Sequence, residues 1–509
     1  MRGTLATVHS VYTSGSRPGY GVVDESGEGK ETSVRMAVVC WTAPVACDVS
    51  RRRRYVRQCR EQICTRRRVG STRSDGRAGN LARTQVVGAR HMMTLNEESS
   101  RDGMQQEDCN RHEYKVLVLG GTGRVGASTA RKLAALVARK NREHPGMGAT
   151  KVTLLVAGRN QDRGARVVEE LCRDSDPLLV EPRFVSIDYT NTSALVELLE
   201  QVDLVIHTAG PFQQRLERCE VLRAAVQART RYYIDVCDDL SHSLLAKQMH
   251  DTVAAAGVRA VVSTGIYPGV SNLMAIDAAR LLDHGPAEAV QFSYFTSGTG
   301  GAGATILAST FLLLSEDALT YKNGKEQYVY PASQVETVDF AGQTGRRSVY
   351  VLNLPEVFSI REKLNLKDCR AKFGTEPEIW NWLLRATPRI VPRKYLRNTS
   401  FIRALSELSL PAVRFTDAIF GARTSMRVDA NGRAGGDGTA QRASIFYEHD
   451  NLEECVGTAT AAFAWHMLAT GDNLRTGVWW PEEAFDEDTS REAMLADAVY
   501  DAAMYRSSF

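Results

Sequence analysis

The sequence lacks the patterns that mark metalloproteins, disulfide-stabilised proteins and integral membrane proteins. Its ten cysteines form no CxxC pair, and neither they nor the ten histidines are spaced like metal ligands. We therefore predict no metal site, and thiols that are free and mostly buried, as in a reducing compartment. No apolar run is long enough to span a bilayer, and even 308–314 is soon followed by two acidic residues. We predict no transmembrane segment.

A strong excess of one charge is also absent, since the net charge is only +3. That value hides an asymmetry. Residues 1–90 contain 17 Lys and Arg against 7 Asp and Glu, whereas the remaining residues contain 46 against 53. The body of the protein is therefore mildly acidic, which argues against nucleic acid and leaves a small molecule as the predicted partner.

Residues 1–95 have the composition of a leader rather than of a folded domain. Arginine runs stand at Arg51–Arg54 and Arg66–Arg68, and few acidic residues follow Asp48. Arginine-rich, acid-poor segments are typical of mitochondrial and plastid transit peptides. We predict a transit peptide or disordered leader over 1–95, and the alternative is a basic tail kept in the mature protein. The sequence leaves open whether Met1 or Met36 is the true start.

The residues after the leader alternate short apolar runs with amphipathic stretches. The runs resemble strands that are covered on both faces, and the stretches between them have the helical period. Strand and helix alternating six times over 111–266 predict an α/β fold with a doubly wound parallel Rossmann sheet. The six predicted strands are Tyr114–Leu119, Val152–Ala157, Phe184–Ile187, Leu204–His207, Tyr232–Val236 and Ala260–Ser263.

The first predicted strand runs directly into a glycine-rich turn with the pattern G-x-G-x-x-G. In that pattern the first glycine allows the tight turn, the second lets the backbone approach a pyrophosphate, and the third lets helix and strand pack closely. The N-terminus of the following helix adds partial positive charge where the phosphates bind. The predicted dinucleotide-binding residues of this turn are Gly121, Thr122, Gly123, Arg124, Val125 and Gly126.

The end of the second strand discriminates between NAD and NADP. NAD-binding versions of the fold usually place Asp or Glu there to hold the ribose 2′-hydroxyl. This strand ends without an acid and is followed by Arg159, whose planar fork suits a 2′-phosphate. Arg124 could supply a second cation, and the alternative for Arg159 is a solvated strand end. We predict NADP as the cofactor.

Two other strand ends are predicted to face the same crevice, because ligands of open α/β sheets bind beyond the carboxyl ends of the strands. After the fourth strand, Ala209, Gly210 and Pro211 form a turn that keeps the backbone close to the cofactor. Asp188, after the third strand, is predicted on the adenine side of the cofactor. A helix cap for the next segment is an equal alternative for Asp188.

Several later segments together carry a resemblance to a known family. They are Val236–Asp239, Ser263–Asn272, Phe295–Leu314, Asn353–Glu356 and Gly477–Glu483. With these segments the chain resembles the saccharopine dehydrogenase-like oxidoreductases, and more narrowly their plant, algal and cyanobacterial branch. The resemblance implies an NADP-binding Rossmann domain, a second α/β domain and last helices that pack back on the first domain. The leader predicts import into a plastid, with the mitochondrion as the second choice. It does not imply saccharopine as the substrate.

The second domain is predicted over 267–450, with a mixed sheet that serves substrate binding and dimerisation. Residues 451–480 are predicted as the helix that returns to the first domain, and 481–509 as a C-terminal tail. Ser271 is expected to cap the helix that opens the second domain. A second glycine cluster, Gly298–Gly303, is either an anion site or a loop packed under the nicotinamide.

Aromatic residues of the second domain are expected in its core more often than in a substrate site. They include Trp380, Trp382, Phe401 and Phe415. The alternative is an exposed apolar groove, which would suit a lipid or an isoprenoid.

Asp239 and Tyr267 are the candidate catalytic residues, because the fifth and sixth strands should end side by side. A second carboxylate, Asp238, precedes Asp239, and burial beside it would raise the pKa of Asp239 toward neutrality. Tyr267 would donate a hydrogen bond to a substrate oxygen, whereas Asp235 would hold the loop through backbone amides. The alternative for the two neighbouring acids is to stabilise the start of the helix after Leu240.

The predicted function is that of an NADP-dependent oxidoreductase. It would transfer a hydride to or from a carbonyl, imine or activated alkene of a small, lipid-like metabolite. The alternative is an NADP(H)-binding scaffold without turnover, or a protein that acts on a lipid surface. Peripheral contact with a membrane and formation of a homodimer are left open.

Overall fold

The computed structural model describes residues 112–508, with gaps at 146–148, 214–218, 284, 298–303 and 435–439. The predicted leader over 1–95 and the glycine cluster at 298–303 lie outside the described residues, so both remain predictions. Among the described helices, none combines the length and the apolar character that crossing a membrane requires.

Sixteen strands and fifteen helices are labelled here among the described residues. The strands are β1 (His112–Leu119), β2 (Thr150–Gly158), β3 (Val180–Ser186), β4 (Leu204–His207), β5 (Tyr232–Asp235), β6 (Arg259–Val261), β7 (Ala289–Ser297), β8 (Ala318–Lys322), β9 (Lys325–Val329), β10 (Ser333–Asp339), β11 (Arg346–Val351), β12 (Asp368–Glu376), β13 (Arg423–Ala434), β14 (Ala440–His449), β15 (Gly477–Trp479) and β16 (Met504–Ser508). The helices are α1 (Arg124–Glu143), α2 (Gln161–Asp174), α3 (Thr192–Leu199), α4 (Glu220–Ala228), α5 (Leu240–Gln248), α6 (His250–Ala255), α7 (Val270–Arg280), α8 (Ala304–Leu313), α9 (Glu356–Leu364), α10 (Glu378–Ile390), α11 (Arg393–Leu396), α12 (Thr399–Phe420), α13 (Leu452–Thr470), α14 (Pro481–Ala484) and α15 (Asp488–Ala498).

The first sheet is parallel throughout and has the strand order β15-β6-β5-β4-β1-β2-β3. All six predicted strands are present, so the predicted doubly wound Rossmann sheet is confirmed. The alternating side chains of β1 explain why both faces are apolar. Val116 and Val118 belong to one hydrophobic core, whereas Leu117 and Leu119 belong to a second core on the other face of the sheet.

The second sheet is mixed, as predicted, and follows the order β10-β11-β12-β7-β13-β14-β16, with β8 and β9 attached to β12. Its central strands β7 and β12 are parallel, while the neighbouring pairs are antiparallel. Helix α7 packs against β13 and β14 and connects the end of the first sheet to this core. The side chains of Phe292 and Tyr294 in β7 are fully buried beneath it.

The start of α7 differs from the prediction that Ser271 caps it. Gly269 holds the cap position with φ +130°, and a Cβ there would come within 2.7 Å of the Gly265 backbone nitrogen. Asn272 Oδ1 accepts a hydrogen bond of 3.0 Å from the Gly269 amide, while Ser271 is buried inside the helix. The backbone turn requires glycine at this point, so the helix begins two residues earlier than a serine cap would allow.

The expectation that the aromatic residues of 378–420 belong to the core is wrong for most of them. Trp382, Phe401 and Phe415 are exposed, whereas Trp380 is partly buried and lines a cavity. Helices α10 and α12 present apolar side chains on two faces, and only one of these faces is covered by described residues.

The C-terminal part of the chain connects both sheets. Helix α13 packs against α1, as predicted, and Lys132 of α1 forms ion pairs with Glu454 at 2.8 Å and with Asp501 at 2.9 Å. Residues 481–509, predicted as a tail, instead contribute α14, α15 and β16. Because β15 joins the first sheet and β16 pairs with β14 of the second, residues 477–508 connect the two sheets.

Candidate active site

The glycine-rich turn lies between the end of β1 and the start of α1. A Cβ at Gly126 would overlap the Gly120 carbonyl oxygen and come within 2.6 Å of Thr208 Oγ1. Only glycine therefore lets α1 begin this close to the ends of β1 and β4. At its N-terminus α1 has no side-chain cap among the described residues and no acid in its first turn. Its free amides can therefore receive an anion.

The other residues of the turn have distinct surroundings. The Thr122 side chain lies over Gly158 at the end of β2, and Gly121 donates a backbone hydrogen bond of 2.9 Å to Ala157. Arg124 is half exposed and forms an ion pair with Glu453 at the start of α13. The predicted second cation of the cofactor site therefore has a carboxylate partner of its own.

Arg159 and Asp188 both lie exposed beyond the ends of β2 and β3. The Asp188 carboxylate accepts hydrogen bonds from the Thr190 amide at 3.1 Å and the Thr190 hydroxyl at 2.9 Å. These bonds lower the pKa of Asp188, and the charge of Arg159 contributes to the same effect. Asp188 therefore stabilises its own turn, while Asn191 caps α3. Arg159 is exposed at the end of its strand, and its contact with a 2′-phosphate stays a prediction.

The turn after β4 is anchored to β1. Thr208 donates hydrogen bonds to the Leu119 carbonyl from its amide at 2.8 Å and from its hydroxyl at 2.9 Å. The turn formed by Ala209, Gly210 and Pro211 follows at once, and Gly210 and Pro211 line a cavity. The backbone is thereby fixed next to the glycine-rich turn, as a close approach to a cofactor requires.

The ends of β5 and β6 are joined through Asp235, as predicted. Its buried carboxylate accepts hydrogen bonds from the Ser263 amide at 2.8 Å, the Cys237 amide at 3.1 Å and the Tyr233 hydroxyl at 2.9 Å. Burial raises the pKa of Asp235 to about 6, although these hydrogen bonds oppose the rise. Asp235 is thus structural, and it brings the loops after β5 and β6 together.

The two neighbouring acids after β5 occupy different environments. Asp239 is only 3% exposed and caps α5, where its Oδ1 accepts a hydrogen bond of 2.7 Å from the His242 amide. Burial raises the pKa of Asp239 to about 7, with a contribution from the charge of Asp238. Asp239 therefore stabilises the start of α5, which is the alternative to its predicted catalytic role. The described lining of the cavity includes Asp238 and not Asp239.

Asp238 lies among polar side chains at the inner end of the cavity. Burial raises its pKa to about 6, and interactions with the side chains of Gln213 and Ser309 oppose the rise. Ser309 in turn donates a hydrogen bond of 3.1 Å to Gln213 Oε1. Asp239 is the predicted acid–base group, whereas Asp238 is the acid that lines the cavity. The strand alternation ends at Asp235 and gives no side-chain orientation beyond it.

Tyr267 lines the same cavity, as its predicted role requires. Its ring stacks on Tyr294, with the ring centroids 4.6 Å apart. The Tyr294 hydroxyl donates a hydrogen bond to the buried carboxyl of Glu356. Burial raises the pKa of the Tyr267 phenol, so the hydroxyl remains a hydrogen-bond donor at neutral pH.

Two buried carboxyls that sequence reasoning did not select, Glu356 and Glu482, lie behind the tyrosines. Burial raises the pKa of each to about 7. Asn272 donates hydrogen bonds from Nδ2 to Glu482 Oε2 at 2.9 Å and to Ser359 Oγ at 3.0 Å. Both acids belong to segments that carry the family resemblance, at 353–356 and 477–483. That resemblance was the available signal, but it does not indicate which side chains point inward.

The cavity has a volume of about 400 Å³ and connects the two domains. At its inner end it is bounded by Val125, Pro211, Asp238 and Tyr267, and it extends outward between α8, α10 and α12. Most of the described side chains along it are apolar or carry a single hydroxyl. Asp238 is the one charged residue in this described lining.

Among the described residues, no group of three His, Cys, Asp or Glu side chains could hold a metal ion. The described cysteines are free. Four are buried, at Cys219, Cys237, Cys369 and Cys455, and Cys172 is exposed. The described cysteines are therefore free and mostly buried, as predicted.

Comparison with known proteins identifies the first domain. A family model described as the saccharopine dehydrogenase NADP binding domain matches residues 116–261. That range contains the glycine-rich turn, Arg159 and all the strand ends described above. The domain binds NADP.

The structure is similar to that of apo saccharopine dehydrogenase (L-Glu forming) from Saccharomyces cerevisiae, with a TM-score of 0.53 and 13% identity. The match covers 78% of this chain and 100% of that chain. At this identity the likeness shows a shared fold. C. glutamicum DAP dehydrogenase in complex with DAP shows a weaker likeness, with a TM-score of 0.39 and 13% identity. This match covers 75% of this chain and 95% of that chain. A search of curated proteins returned no match. The family model supports an NAD(P)-dependent oxidoreductase.

Proposed function

We propose that the chain is an NADP-dependent oxidoreductase that acts on a carbonyl, imine or activated alkene of an apolar, lipid-like substrate. One observation carries the proposal. An apolar cavity begins at the predicted cofactor-binding residues Val125, Gly210 and Pro211, and Asp238 is the one charged group in its described lining. An apolar cavity with few polar groups is typical of a site that orients a small apolar ligand.

The residues at the strand ends fit the cofactor. The free amides at the N-terminus of α1 would hold the pyrophosphate, and Arg159 would hold the 2′-phosphate. The backbone of Gly210 and Pro211 would border the nicotinamide where the cavity begins. When bound, NADP(H) supplies or accepts the hydride.

Asp238 would move the proton that accompanies the hydride. In the reducing direction its carboxyl donates a proton to the substrate oxygen, nitrogen or carbon that gains negative charge, and a carboxylate remains. In the oxidising direction the carboxylate takes that proton back. Tyr267 would donate a hydrogen bond to the same substrate atom and fix its orientation.

The test is NADPH consumption with a panel of aldehydes, ketones, imines and enones that differ in chain length and polarity. We expect turnover with apolar members and little with anionic ones, because the described cavity lining offers an anionic substrate group no cation. Consumption confined to polar members would overturn the substrate class. NADPH binding without consumption across the panel would favour the scaffold alternative.

The role of Arg159 is tested separately by cofactor titration. Arg159→Ala should weaken NADPH binding about tenfold while leaving NADH binding unchanged, since only NADPH carries the 2′-phosphate. Arg173→Ala, an exposed arginine in the last turn of α2, is the matched control. An unchanged preference for NADPH in Arg159→Ala would remove this residue from the cofactor site.

We also propose plastid import directed by the leader, and membership of the plant, algal and cyanobacterial branch. The arginine-rich, acid-poor composition of the leader and the motif segments quoted above support these proposals. N-terminal sequencing of the accumulated protein is the test. A terminus between Arg68 and Met93 is expected, and an intact Met1 or Met36 would contradict import with cleavage.

A further inference from the structure

Exposed apolar side chains are concentrated on one part of the second domain. Of the fifteen large hydrophobic residues that are exposed in the described chain, nine lie within 378–420, on or between α10, α11 and α12. Leu408 is 79% exposed, Phe415 68% and Trp382 61%. Single exposed apolar residues are normal on a protein surface, but such a concentration marks a contact surface. The nine residues are Ile379, Trp382, Leu383, Ile390, Tyr395, Phe401, Leu408, Phe415 and Ile419.

The spacing of these residues follows the helices. Phe401, Leu408 and Phe415 are seven residues apart, so they lie on one face of α12. On α10, Ile379 and Ile390 are eleven residues apart, which is about three helical turns, so they also share a face. Trp382 lies beside them. The opposite side of α12 carries Val413, which is buried and lines the cavity. These helices are thus apolar toward the cavity and toward solvent, unlike an ordinary amphipathic surface helix.

The charge of this segment differs in sign from that of the rest of the body. Residues 378–420 contain seven Lys and Arg against three Asp and Glu, whereas the other residues from 91 onward contain 39 against 50. Several of the basic side chains lie over aromatic rings. Arg389 lies over the Tyr330 ring at 5.1 Å, Arg385 over the Tyr350 ring at 5.6 Å and Lys394 over the Tyr395 ring at 4.9 Å. A segment that combines exposed apolar residues with an excess of cations is complementary to an anionic lipid surface.

The cavity reaches this same surface. Leu383 lines the cavity and is also 37% exposed, so the cavity opens among the exposed residues of α10. An apolar substrate that leaves a membrane at this position would enter the cavity without crossing water.

We propose that α10, α11 and α12 dock on the surface of an anionic lipid bilayer. Docking would bury the exposed faces of α10 and α12 at the boundary between headgroups and acyl chains, while the arginines pair with lipid phosphates. The inference goes beyond the proposed function and does not depend on turnover, because vesicle binding can be measured without any substrate.

The experiment is hydrogen–deuterium exchange of the full chain with vesicles of phosphatidylcholine alone or mixed with phosphatidylglycerol. Exchange locates the contact, which matters because the arginine-rich leader also attracts anionic vesicles. Protection of peptides from 378–420 is expected with the mixed vesicles and should be much weaker with phosphatidylcholine alone. Absence of protection in 378–420 would overturn the proposal, whatever the leader does.

Two triple variants make the test specific. Trp382→Ser/Leu408→Ser/Phe415→Ser should lose the protection of 378–420 and partition at least about tenfold less to vesicles. The control Leu178→Ser/Tyr328→Ser/Val335→Ser removes three other exposed apolar residues and should behave like the parent chain. Equal behaviour of the two variants would contradict the proposal. Protection of 378–420 that grows with protein concentration without vesicles, together with a dimer in sedimentation velocity, would assign the surface to a second copy instead.

Discussion

At its inner end the cavity is bounded by Pro211, Asp238 and Tyr267, and at its outer end by the helices α10 and α12. The inner residues follow strand ends that are fixed by buried hydrogen bonds, such as those to the Asp235 carboxylate. The outer helices leave large side chains such as Trp382 and Leu408 in contact with solvent. We infer that the inner end positions reacting groups, whereas the outer end contacts a partner outside the chain.

The two ends should therefore respond differently to substitution. At the inner end, small changes should alter chemistry or folding, because the Asp235 carboxylate is buried and a Cβ at Gly126 would overlap the backbone of Gly120. At the outer end, removal of a large apolar side chain should leave turnover and stability unchanged, because the side chain is not part of a core. The following predictions test this contrast, beginning with the largest expected effect.

Asp238→Asn should lower turnover by about 100- to 10,000-fold while leaving NADPH binding unchanged, because the amide keeps the shape of the carboxyl but cannot transfer the proton. Steady-state rates and NADPH fluorescence titration measure the two effects. Asp239→Asn is the matched control, since asparagine also caps helices well, and it should change turnover only slightly. If Asp239→Asn abolishes turnover and Asp238→Asn does not, the assignment from cavity geometry is wrong.

The rate of reduction should fall about tenfold for each pH unit above the pKa of Asp238, because only the protonated carboxyl can donate. That pKa is raised to about 6 by burial. In the oxidising direction the pH dependence is opposite, because the carboxylate is the active form. The rate should therefore fall as the pH drops below about 6. The check is kcat/KM against pH. A pH profile that is unchanged in Asp238→Asn would mean that another group carries the proton.

Gly126→Ala should cost about 1–3 kcal/mol of unfolding free energy and weaken NADPH binding, because the added Cβ overlaps the Gly120 carbonyl and forces α1 away from the sheet. Chemical denaturation and NADPH titration are the measurements. Gly432→Ala is the control, since its Cβ would meet side chains and no backbone, with Leu282 Cδ1 at 3.3 Å and Gln441 Oε1 at 3.6 Å. Equal stability and affinity of Gly126→Ala and the parent chain would show that the turn tolerates a side chain.

Trp382→Ser should change the unfolding free energy by no more than about 0.5 kcal/mol, because the side chain is 61% exposed. The same denaturation experiment measures it. NADPH binding should also be unchanged, since Trp382 lies on the outer face of α10. A large loss of stability would mean that the outer face packs against residues outside the described chain, and the contrast between the two ends would fail.

Sequence reasoning predicted the inner end better than the outer end. The glycine-rich turn and the strands before and after it follow local rules, so the six Rossmann strands and the position of Arg159 could be anticipated. The strand β15 could not be anticipated, because three residues are too few to show a period. Its pairing with β6 also joins positions that are far apart in the chain. The exposure of Trp382 was missed because aromatic content favours a core and does not indicate which face of a helix is covered.

The sequence alone determined the class of the first domain, its cofactor and the loops that meet at the strand ends, because periodicity, glycine spacing and the charge at one strand end are local properties. Only the tertiary structure decided that Asp238 rather than Asp239 lines the cavity, that Glu356 and Glu482 are buried behind it, and that the last residues join both sheets. The physical reason is that side-chain direction after a strand end, burial of a carboxyl and strand pairing depend on contacts between distant segments. Those contacts do not exist until the chain has folded.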